Sequence, residues 1–465
     1  MAQHHIRRCV EAIWAEFWRS GLYEPVEIME QMLYLLFLRR FDDLQARRLV
    51  DPRHAPPGPQ WSPAGAEDHL MRWSRFKHLR AAEMYALLVN HVFPRLRCLG
   101  GPGSAYAQHM KGVRFSIPNA AALARLVTLI EALPRHAGPG GCAAYDYIAG
   151  KLAGLGQRGQ YYTPPDVARL MVALVAPRPG DIVCSPVGGD GNFLVGVGEY
   201  LAQCHPALFA EPRQSEHFHH RMFHAYDADR TMLRIACMNL AMHGVTNPDI
   251  RYTNSVAADV AGEEDRYSIV LAHPSTACLR EQDAASTAHA EIVMVGQFLR
   301  MLKRGGRAAV IVPQHILSGF SPDHLELRRR LVEEQQIDAV ITFSSGLSGK
   351  HDGAAKSILL FTRTDCGGSD PVRFYDARCD GSVADAIAAP QRQAQRGGML
   401  RAGSAAVENG RKHVPDLMLR WRRGGVGEPI GAAKSACLRV RQAQIAGASN
   451  CLSANRYRPG GSVDG

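Results

Sequence analysis

Apolar residues recur at helical spacing through the first part of the chain. Between residues 11 and 50 they fall mainly three or four positions apart, which places them on one face of a helix. These residues are Ile13, Trp14, Phe17, Trp18, Ile28, Met32, Leu35, Leu36, Leu38, Phe41 and Leu44. Similar patterns at 76–97 and 119–134 are separated by stretches rich in Pro and Gly. The pattern predicts an N-terminal helical domain over residues 1–140.

From about residue 143 the pattern changes to short apolar runs that alternate with helical segments. The runs predicted to be strands are Asp181–Cys184, Met222–Tyr226, Ile250–Tyr252, Ser268–Ala272, Ala308–Val312, Ala339–Phe343 and Ser357–Thr362. The predicted helices between them cover 164–175, 192–203, 230–243, 288–303 and 323–334. Alternation of this kind predicts an α/β domain, residues 141–390, with a parallel sheet covered by helices. Beyond this domain the regular pattern of apolar positions ends, and residues 391–465 are interpreted as a C-terminal extension.

A glycine-rich turn follows the first predicted strand. Gly188, Gly189 and Gly191 stand between that strand and a helix that opens near Asn192. In a doubly wound sheet such a turn allows the backbone to approach a nucleotide-type ligand closely. Many strand-to-helix turns contain glycine for steric reasons alone, so the turn needs a second signal.

An acid at the end of the second predicted strand supplies that signal. The segment Ala225-Tyr-Asp-Ala-Asp229 carries two candidates. We interpret Asp227 as the acceptor for ribose hydroxyls and Asp229 as the N-cap of the following helix.

A polar residue followed by proline ends another buried strand, at His273-Pro274-Ser275-Thr276. An open sheet would hold a reacting group at this position beside the cofactor turn. A polar residue that merely starts the loop is the alternative interpretation.

Composition narrows the class of protein. The 465 residues are 46% hydrophobic and 21% charged, as in ordinary globular proteins, and no apolar run approaches the length of a membrane span. The eleven cysteines are scattered singly, so neither a disulfide framework nor a zinc site is indicated, and no metal is expected. These features predict a cytoplasmic protein.

The formal net charge of +10 is concentrated near the C-terminus. Residues 391–441 hold eleven Lys or Arg against three acids. Arg420, Arg422 and Arg423 surround Trp421, and a basic cluster of this kind is suited to DNA phosphates. A solvated basic tail is the alternative.

Five blocks of the chain, in order, resemble the modification (methyltransferase) subunit of type I restriction systems, a DNA adenine-N6 methyltransferase. The blocks lie in Phe17–Leu44, Gly159-Gln-Tyr-Tyr-Thr-Pro-Pro165, Arg234–Gly244, Met301–Pro313 and Ala448–Tyr457. The resemblance implies a Rossmann-like S-adenosylmethionine-dependent methyltransferase sheet behind an N-terminal helical domain. It implies cofactor contacts from Tyr162, Thr163, Ser185, Gly189, Asp190, Gly191 and Asp227. In that family the target adenine is flipped into a pocket built on Asn-Pro-Pro-Phe or Tyr.

Two sites depart from the family pattern. The tetrad reads His273-Pro274-Ser275-Thr276, so a carboxamide acceptor and a stacking aromatic are both missing. The family's Asp-Pro in the cofactor loop is Ser185-Pro186, which removes a carboxylate at the methionine end. Loss at both sites favours a chain that methylates adenine poorly or not at all.

Three hypotheses follow for the output of the chain. The first is an active adenine-N6 DNA methyltransferase subunit. The second is an inactive methyltransferase scaffold that binds DNA or assembles partner chains. The third, a methyltransferase of RNA or protein, accounts less well for the resemblance at the two ends of the chain.

The family also implies a set of partners. They are double-stranded DNA, a sequence-specificity subunit, a second copy of the modification subunit, and a motor-nuclease subunit. Little of this chain lies between Thr276 and the basic tail to form a target-recognition domain of its own, in agreement with a separate specificity subunit.

Overall fold

The N-terminal part of the computed structural model is helical. The structure describes residues 2–50, 71–98, 103–134, 144–145, 147–148, 151, 163–253, 262–274, 284–343, 356–368 and 372–377. Its first helices are α1 (Ala2–Arg19), α2 (Pro25–Val50), α3 (Trp73–Phe76), α4 (Ala81–Leu87), α5 (Phe93–Leu96), α6 (Ala105–His109) and α7 (Ala120–Glu131). The prediction of a helical N-terminal region is therefore confirmed, although the pattern at 76–97 resolves into short helices joined through a π-helical turn at Leu88–Val92.

The second part of the described chain is an eight-stranded sheet with helices between the strands. The strands are β1 (Val183–Ser185), β2 (Phe223–Asp227), β3 (Asp249–Tyr252), β4 (Tyr267–Ala272), β5 (Leu302–Pro313), β6 (Gln336–Phe343), β7 (Lys356–Thr362) and β8 (Arg373–Ala377). The helices are α8 (Pro165–Val175), α9 (Asn192–Cys204), α10 (Pro212–His220), α11 (Arg230–Met242), α12 (Ala284–Met301), α13 (Gln314–Ser318) and α14 (Pro322–Arg329). The sheet order is β3-β2-β1-β4-β5-β7-β6-β8.

All seven predicted strands are present, but the prediction of a wholly parallel sheet is wrong at β7. This strand pairs antiparallel with both β5 and β6, while the other pairs are parallel. Apolar content identifies a buried strand and does not give its direction. The edge strand β8 and helix α10 were not predicted, because β8 is short and carries charges and α10 is mostly polar.

Alternate residues of the sheet enter two different hydrophobic clusters. In β4, Ile269 and Leu271 join one cluster, and Val270 and Ala272 join the other. The first cluster also contains residues of α8, α9, α11 and the N-terminal helices, whereas the second contains residues of α12 and α14. A strand buried on both faces explains why β4 reads as a continuous apolar run.

The N-terminal helices pack directly on the α/β part of the chain. The Tyr106 hydroxyl donates to the Val245 carbonyl at 2.6 Å, and His109 Nε2 donates to the Ile250 carbonyl at 2.9 Å. From α2, Glu30 accepts from Arg234 of α11 at 2.9 Å. These contacts fix α11 between the sheet and the N-terminal helices. In the part of the chain that the structure describes, no helix has both the length and the apolar character needed to cross a membrane.

Candidate cofactor and catalytic site

The predicted site residues of three parallel strands meet at one edge of the sheet. Ser185 ends β1, Asp227 ends β2, and His273 directly follows β4. Because β1 is parallel to both β2 and β4, their carboxyl ends lie side by side. This edge is where open α/β sheets bind ligands.

The glycine-rich turn is folded tightly against β2. The Gly188 amide donates to the Tyr226 carbonyl at 2.8 Å, and a Cβ at Gly188 would lie only 3.0 Å from the Cβ of Ala225. Gly191 has a φ of 76° and is the N-cap of α9. A side chain at Gly188 would separate the turn from β2, and one at Gly191 would strain the backbone.

Asp227 ties this turn to the end of β2. One carboxylate oxygen accepts from the Gly189 amide at 2.8 Å, and the other accepts from the Asp229 amide at 2.8 Å. Burial raises the pKa of Asp227, while the two amide donors act in the opposite direction. Each carboxylate oxygen offers two lone pairs, so acceptor capacity remains for hydroxyl donors.

The interpretation of Asp229 as a helix cap is confirmed. Its carboxylate accepts from the Thr231 amide at 2.7 Å and from the Met232 amide at 3.4 Å, at the start of α11. These are two of the amides that a helix N-terminus leaves without an internal partner. The two acids of the Asp-Ala-Asp segment therefore make different local contacts.

Asp190 holds the conformation of the turn through both its carboxylate and its carbonyl. Its carboxylate accepts from the Asn192 amide at 3.1 Å and from the Tyr145 hydroxyl at 2.6 Å. Its carbonyl accepts from Asn239 Nδ2 at 3.2 Å. Tyr145 and Asn239 were not predicted as site residues. Tyr145 lies outside the five family-like blocks, and Asn239 lies within the Arg234–Gly244 block but had no role assigned to it there.

Ser185 is fully buried and turned into its own loop. Its hydroxyl donates to the Val187 carbonyl at 3.3 Å. A short hydroxyl with this partner does not supply the carboxylate that the family places here.

Thr163 brings the segment before α8 onto this edge. Its carbonyl accepts from Asn192 Nδ2 at 3.0 Å, and its hydroxyl lies 3.0 Å from His273 Nδ1. Both Thr163 and His273 are buried. The side chain of Asn192 therefore connects Thr163 to the cofactor turn, a role that the sequence did not reveal.

Lys356 reaches His273 because β7 is antiparallel. The amino end of β7 lies at the carboxyl end of β5, where Lys356 pairs with Pro313. From there Lys356 Nζ lies 3.4 Å from His273 Nε2. Sequence reasoning missed this contact, since in a parallel strand Lys356 would lie at the opposite edge.

His273 is neutral in this environment. Burial lowers the pKa of the imidazole to about 3, and the nearby Lys356 ammonium acts in the same direction. His273 is thus a hydrogen-bonding group at neutral pH and not a cation.

Several predicted residues lie outside the described part of the chain. They are Tyr162 of the cofactor group, Ser275 and Thr276 of the tetrad, and Arg420, Arg422 and Arg423 of the basic tail. Pro274 is described and follows His273 directly.

Two family models match the chain in consecutive regions. A model described as HsdM N-terminal domain matches residues 6–130. A model described as N-6 DNA Methylase matches residues 142–395, which is more than half of the chain. The helical region and the sheet therefore correspond to separate family models.

Curated relatives agree with this assignment. The type I restriction enzyme EcoKI methylase subunit of Escherichia coli (strain K12) is 26% identical over 241 residues, which cover 47% of this chain and 44% of that subunit. The EcoEI methylase subunit of Escherichia coli is 21% identical over 227 residues, covering 47% and 45%. The matched region is less than half the length of each of these relatives.

Solved structures share the fold at lower identity. A modification subunit of a putative type I restriction enzyme from Vibrio vulnificus YJ016 has a TM-score of 0.64 and 18% identity, with 85% of this chain and 90% of that chain covered. A methyltransferase subunit of a type I restriction-modification system from Streptococcus thermophilus has a TM-score of 0.55 and 14% identity, covering 84% and 94%. The predicted methyltransferase-type fold with a helical N-terminal region is thus confirmed. The chain belongs to the N-6 DNA methylase family.

Proposed function

We propose that this chain is the DNA-modifying subunit of a type I restriction-modification assembly, and that it transfers a methyl group from S-adenosylmethionine to the N6 amino group of adenine. The observation that carries the proposal is the convergence of Thr163, Asp227 and His273 at one edge of the sheet, around the glycine-rich turn. The family assignment supports the same reaction.

The residues at this edge fit the nucleoside half of the cofactor. Asp227 keeps acceptor capacity for ribose hydroxyls, and Gly188 allows the glycine-rich turn to pack closely on β2. Thr163 and the neighbouring Tyr162 would border the methionine half with Ser185, Asp190, Gly189 and Gly191. When bound, the cofactor supplies an electrophilic methyl group.

The methionine half has weaker support from the chain. The carboxylate of the family is absent at Ser185, and the carboxylate of Asp190 is the candidate replacement for binding the cofactor ammonium. Both oxygens of Asp190 already accept hydrogen bonds within the protein, from the Tyr145 hydroxyl and the Asn192 amide. We therefore expect weaker cofactor binding than an acid at position 185 would give.

The protein's part in the transfer is to hold the adenine amino group and to favour localisation of its lone pair. His273, on the backbone that continues into Pro274, is the side chain placed to accept a hydrogen from that group. Ser275 and Thr276 would border the base without a stacking plane, which removes roughly 1–3 kcal/mol of base stacking. A slow reaction is the expected result.

Partners and domains complete the proposal. We propose that a specificity subunit selects the double-stranded DNA site, that two copies of this chain flank it, and that a motor-nuclease subunit joins the assembly. Residues 1–140, 141–390 and 391–465 would act as the helical, methyltransferase and DNA-contacting parts.

The test has a binding arm and a transfer arm. Titration of S-adenosylmethionine into the purified chain should give an affinity that falls at least about tenfold in Asp227→Asn, the equivalent of 1.4 kcal/mol. Asp229→Ser is the matched control, because serine also caps a helix, and it should bind as the wild type does. Equal losses in the two variants would argue against a ribose contact at Asp227.

The transfer arm measures labelled methyl incorporation into DNA in the presence of a specificity subunit. The wild-type chain should transfer slowly, and the combined change His273→Asn, Ser275→Pro and Thr276→Phe should transfer faster. No incorporation by either chain, with cofactor binding confirmed, would contradict the proposed reaction and favour the assembly-scaffold hypothesis.

A further inference from the structure

Three polar side chains form a line at the catalytic edge of the sheet. Thr163 Oγ1 lies 3.0 Å from His273 Nδ1, and Lys356 Nζ lies 3.4 Å from His273 Nε2. Both ring nitrogens of a buried imidazole therefore have a neighbour within the protein.

The chemistry of the two neighbours fixes the direction of these hydrogen bonds. A lysine ammonium has only donors, so His273 Nε2 must accept and carries no proton. A neutral imidazole has one proton, which then lies on Nδ1 and is donated to the Thr163 hydroxyl. Lys356 therefore donates to His273, and His273 donates to Thr163.

We propose that Lys356 is a positioning residue that fixes His273 as the Nδ1-protonated tautomer, occupies its one acceptor nitrogen, and thereby limits methyl transfer to an adenine amino group. The proposal rests on the proposed function for its second part, whereas the tautomer is a property of the free protein.

Lys356 should slow methyl transfer in two ways. An adenine amino group needs an acceptor, and at His273 it has to displace the Lys356 ammonium to reach one. Methylation also develops positive charge on the amino nitrogen, and a neighbouring cation opposes that charge more strongly in a site from which water is excluded.

The backbone of Lys356 is held independently of its side chain. Lys356 pairs with Pro313 of β5 and with Phe343 of β6, so its backbone lies between two strands, at the end of both ladders. Substitution of its ammonium should therefore leave the strand in place. Lys356→Met keeps the length of the side chain and removes the donor, and Lys356→Arg keeps a donor.

The first measurement is ¹⁵N NMR of the histidine ring nitrogens in the full chain, with the His273 signals assigned by their loss in His273→Gln. The wild type and Lys356→Arg should show protonated Nδ1 and unprotonated Nε2, and Lys356→Met should show a population protonated at Nε2. Lys303→Met, an exposed lysine at the start of β5, is the matched control and should leave the signals unchanged.

The second measurement is labelled methyl transfer to DNA with a specificity subunit present. Lys356→Met should transfer about tenfold faster than the wild type, the factor that corresponds to 1.36 kcal/mol of the barrier. Lys356→Arg and Lys303→Met should stay within about twofold of the wild type.

Each outcome decides one part of the proposal. Unchanged ring signals in Lys356→Met would overturn the tautomer assignment. A shifted tautomer with an equal or lower transfer rate would overturn the limiting role of Lys356. Absence of transfer in every variant, with the tautomer shift present, would overturn the proposed function and the rate limit while supporting the tautomer assignment.

Discussion

His273 is the residue at which the chain departs most clearly from its family, and both of its ring nitrogens have neighbours within the protein. Its imidazole is 7% exposed and contacts Thr163 and Lys356 through its two nitrogens. An asparagine here would present a carbonyl oxygen with two lone pairs and an amide group with two donors, so the change alters both the direction and the number of the available acceptor lone pairs.

Acid should destabilise the fold through His273. In the unfolded chain histidine titrates near pH 6.5, while in the folded protein the pKa of His273 is lowered to about 3. Between these values the unfolded chain binds more protons, so the stabilisation present above pH 6.5 is lost as pH falls toward 3, by up to about 1.4 kcal/mol per pH unit. Urea unfolding of the wild type and His273→Gln at pH 7.5, 6 and 5 measures this loss.

The His273→Gln variant should lose less stability than the wild type between pH 7.5 and pH 5. His220→Gln, at an exposed position of α10, is the control and should follow the wild-type profile. Parallel pH profiles for the wild type and His273→Gln would show that the His273 imidazole is not the group responsible.

The sequence predicted His273, Asp227 and the glycine turn because each follows directly from a recognisable strand. It did not predict Lys356, Asn192 or Tyr145, because these residues reach the site through pairing and packing between distant segments. The different local contacts of Asp227 and Asp229 could be predicted, since a helix N-cap has a local signature.

At the scale of elements, the junction between α8 and β1 is held by Arg307 of β5. Its guanidinium donates to the Val175 carbonyl at 2.6 Å, to the Ala176 carbonyl at 3.1 Å and to Asp181 at 2.8 Å. Ala176 ends α8 with a φ of 46°, a left-handed conformation that glycine adopts with less strain.

Ala176→Gly should therefore stabilise the protein by about 0.5–1 kcal/mol, because relief of the left-handed strain exceeds the entropy lost by glycine. Thermal or urea unfolding measures the change. Ala173→Gly, in the interior of the same helix, is the matched control and should cost about 1 kcal/mol. A loss of stability in Ala176→Gly would contradict the assignment of strain to this residue.

The order and type of the main elements could be predicted because the apolar periodicities are clear from β1 to β7. Strand direction could not, since β7 is as apolar as the parallel strands of the sheet. The strand β8 was missed because Arg373 and Asp376 interrupt its apolar character.

At the scale of the whole molecule, the charged residues are distributed unevenly along the chain. The net charge of +10 is concentrated after residue 391, beyond the sheet that carries the candidate site. A basic segment following a DNA-modifying domain would add affinity for phosphates and little sequence preference.

Replacement of Arg420, Arg422 and Arg423 by alanine should weaken DNA binding and reduce its salt dependence. Removing three phosphate contacts should lower the slope of log affinity against log salt by about 3. Fluorescence anisotropy with a duplex at several salt concentrations measures both quantities. Replacement of the exposed Arg329 and the partly buried Arg330, basic residues around the end of α14, serves as a charge control. An unchanged slope in the triple variant would show that the tail does not contact DNA.

The position of α11 couples the two parts of the molecule. This helix begins three residues after Asp227, and Arg234 on it is bound by Glu30 of α2. A displacement of the N-terminal helices that moves α11 would therefore change the position of Asp227, the proposed ribose acceptor, and with it the affinity for the proposed cofactor. Thermodynamic reciprocity then requires that cofactor binding shift the equilibrium between the two arrangements by the same factor. The proposed cofactor would thus act as an allosteric effector of how the N-terminal helices sit against the sheet.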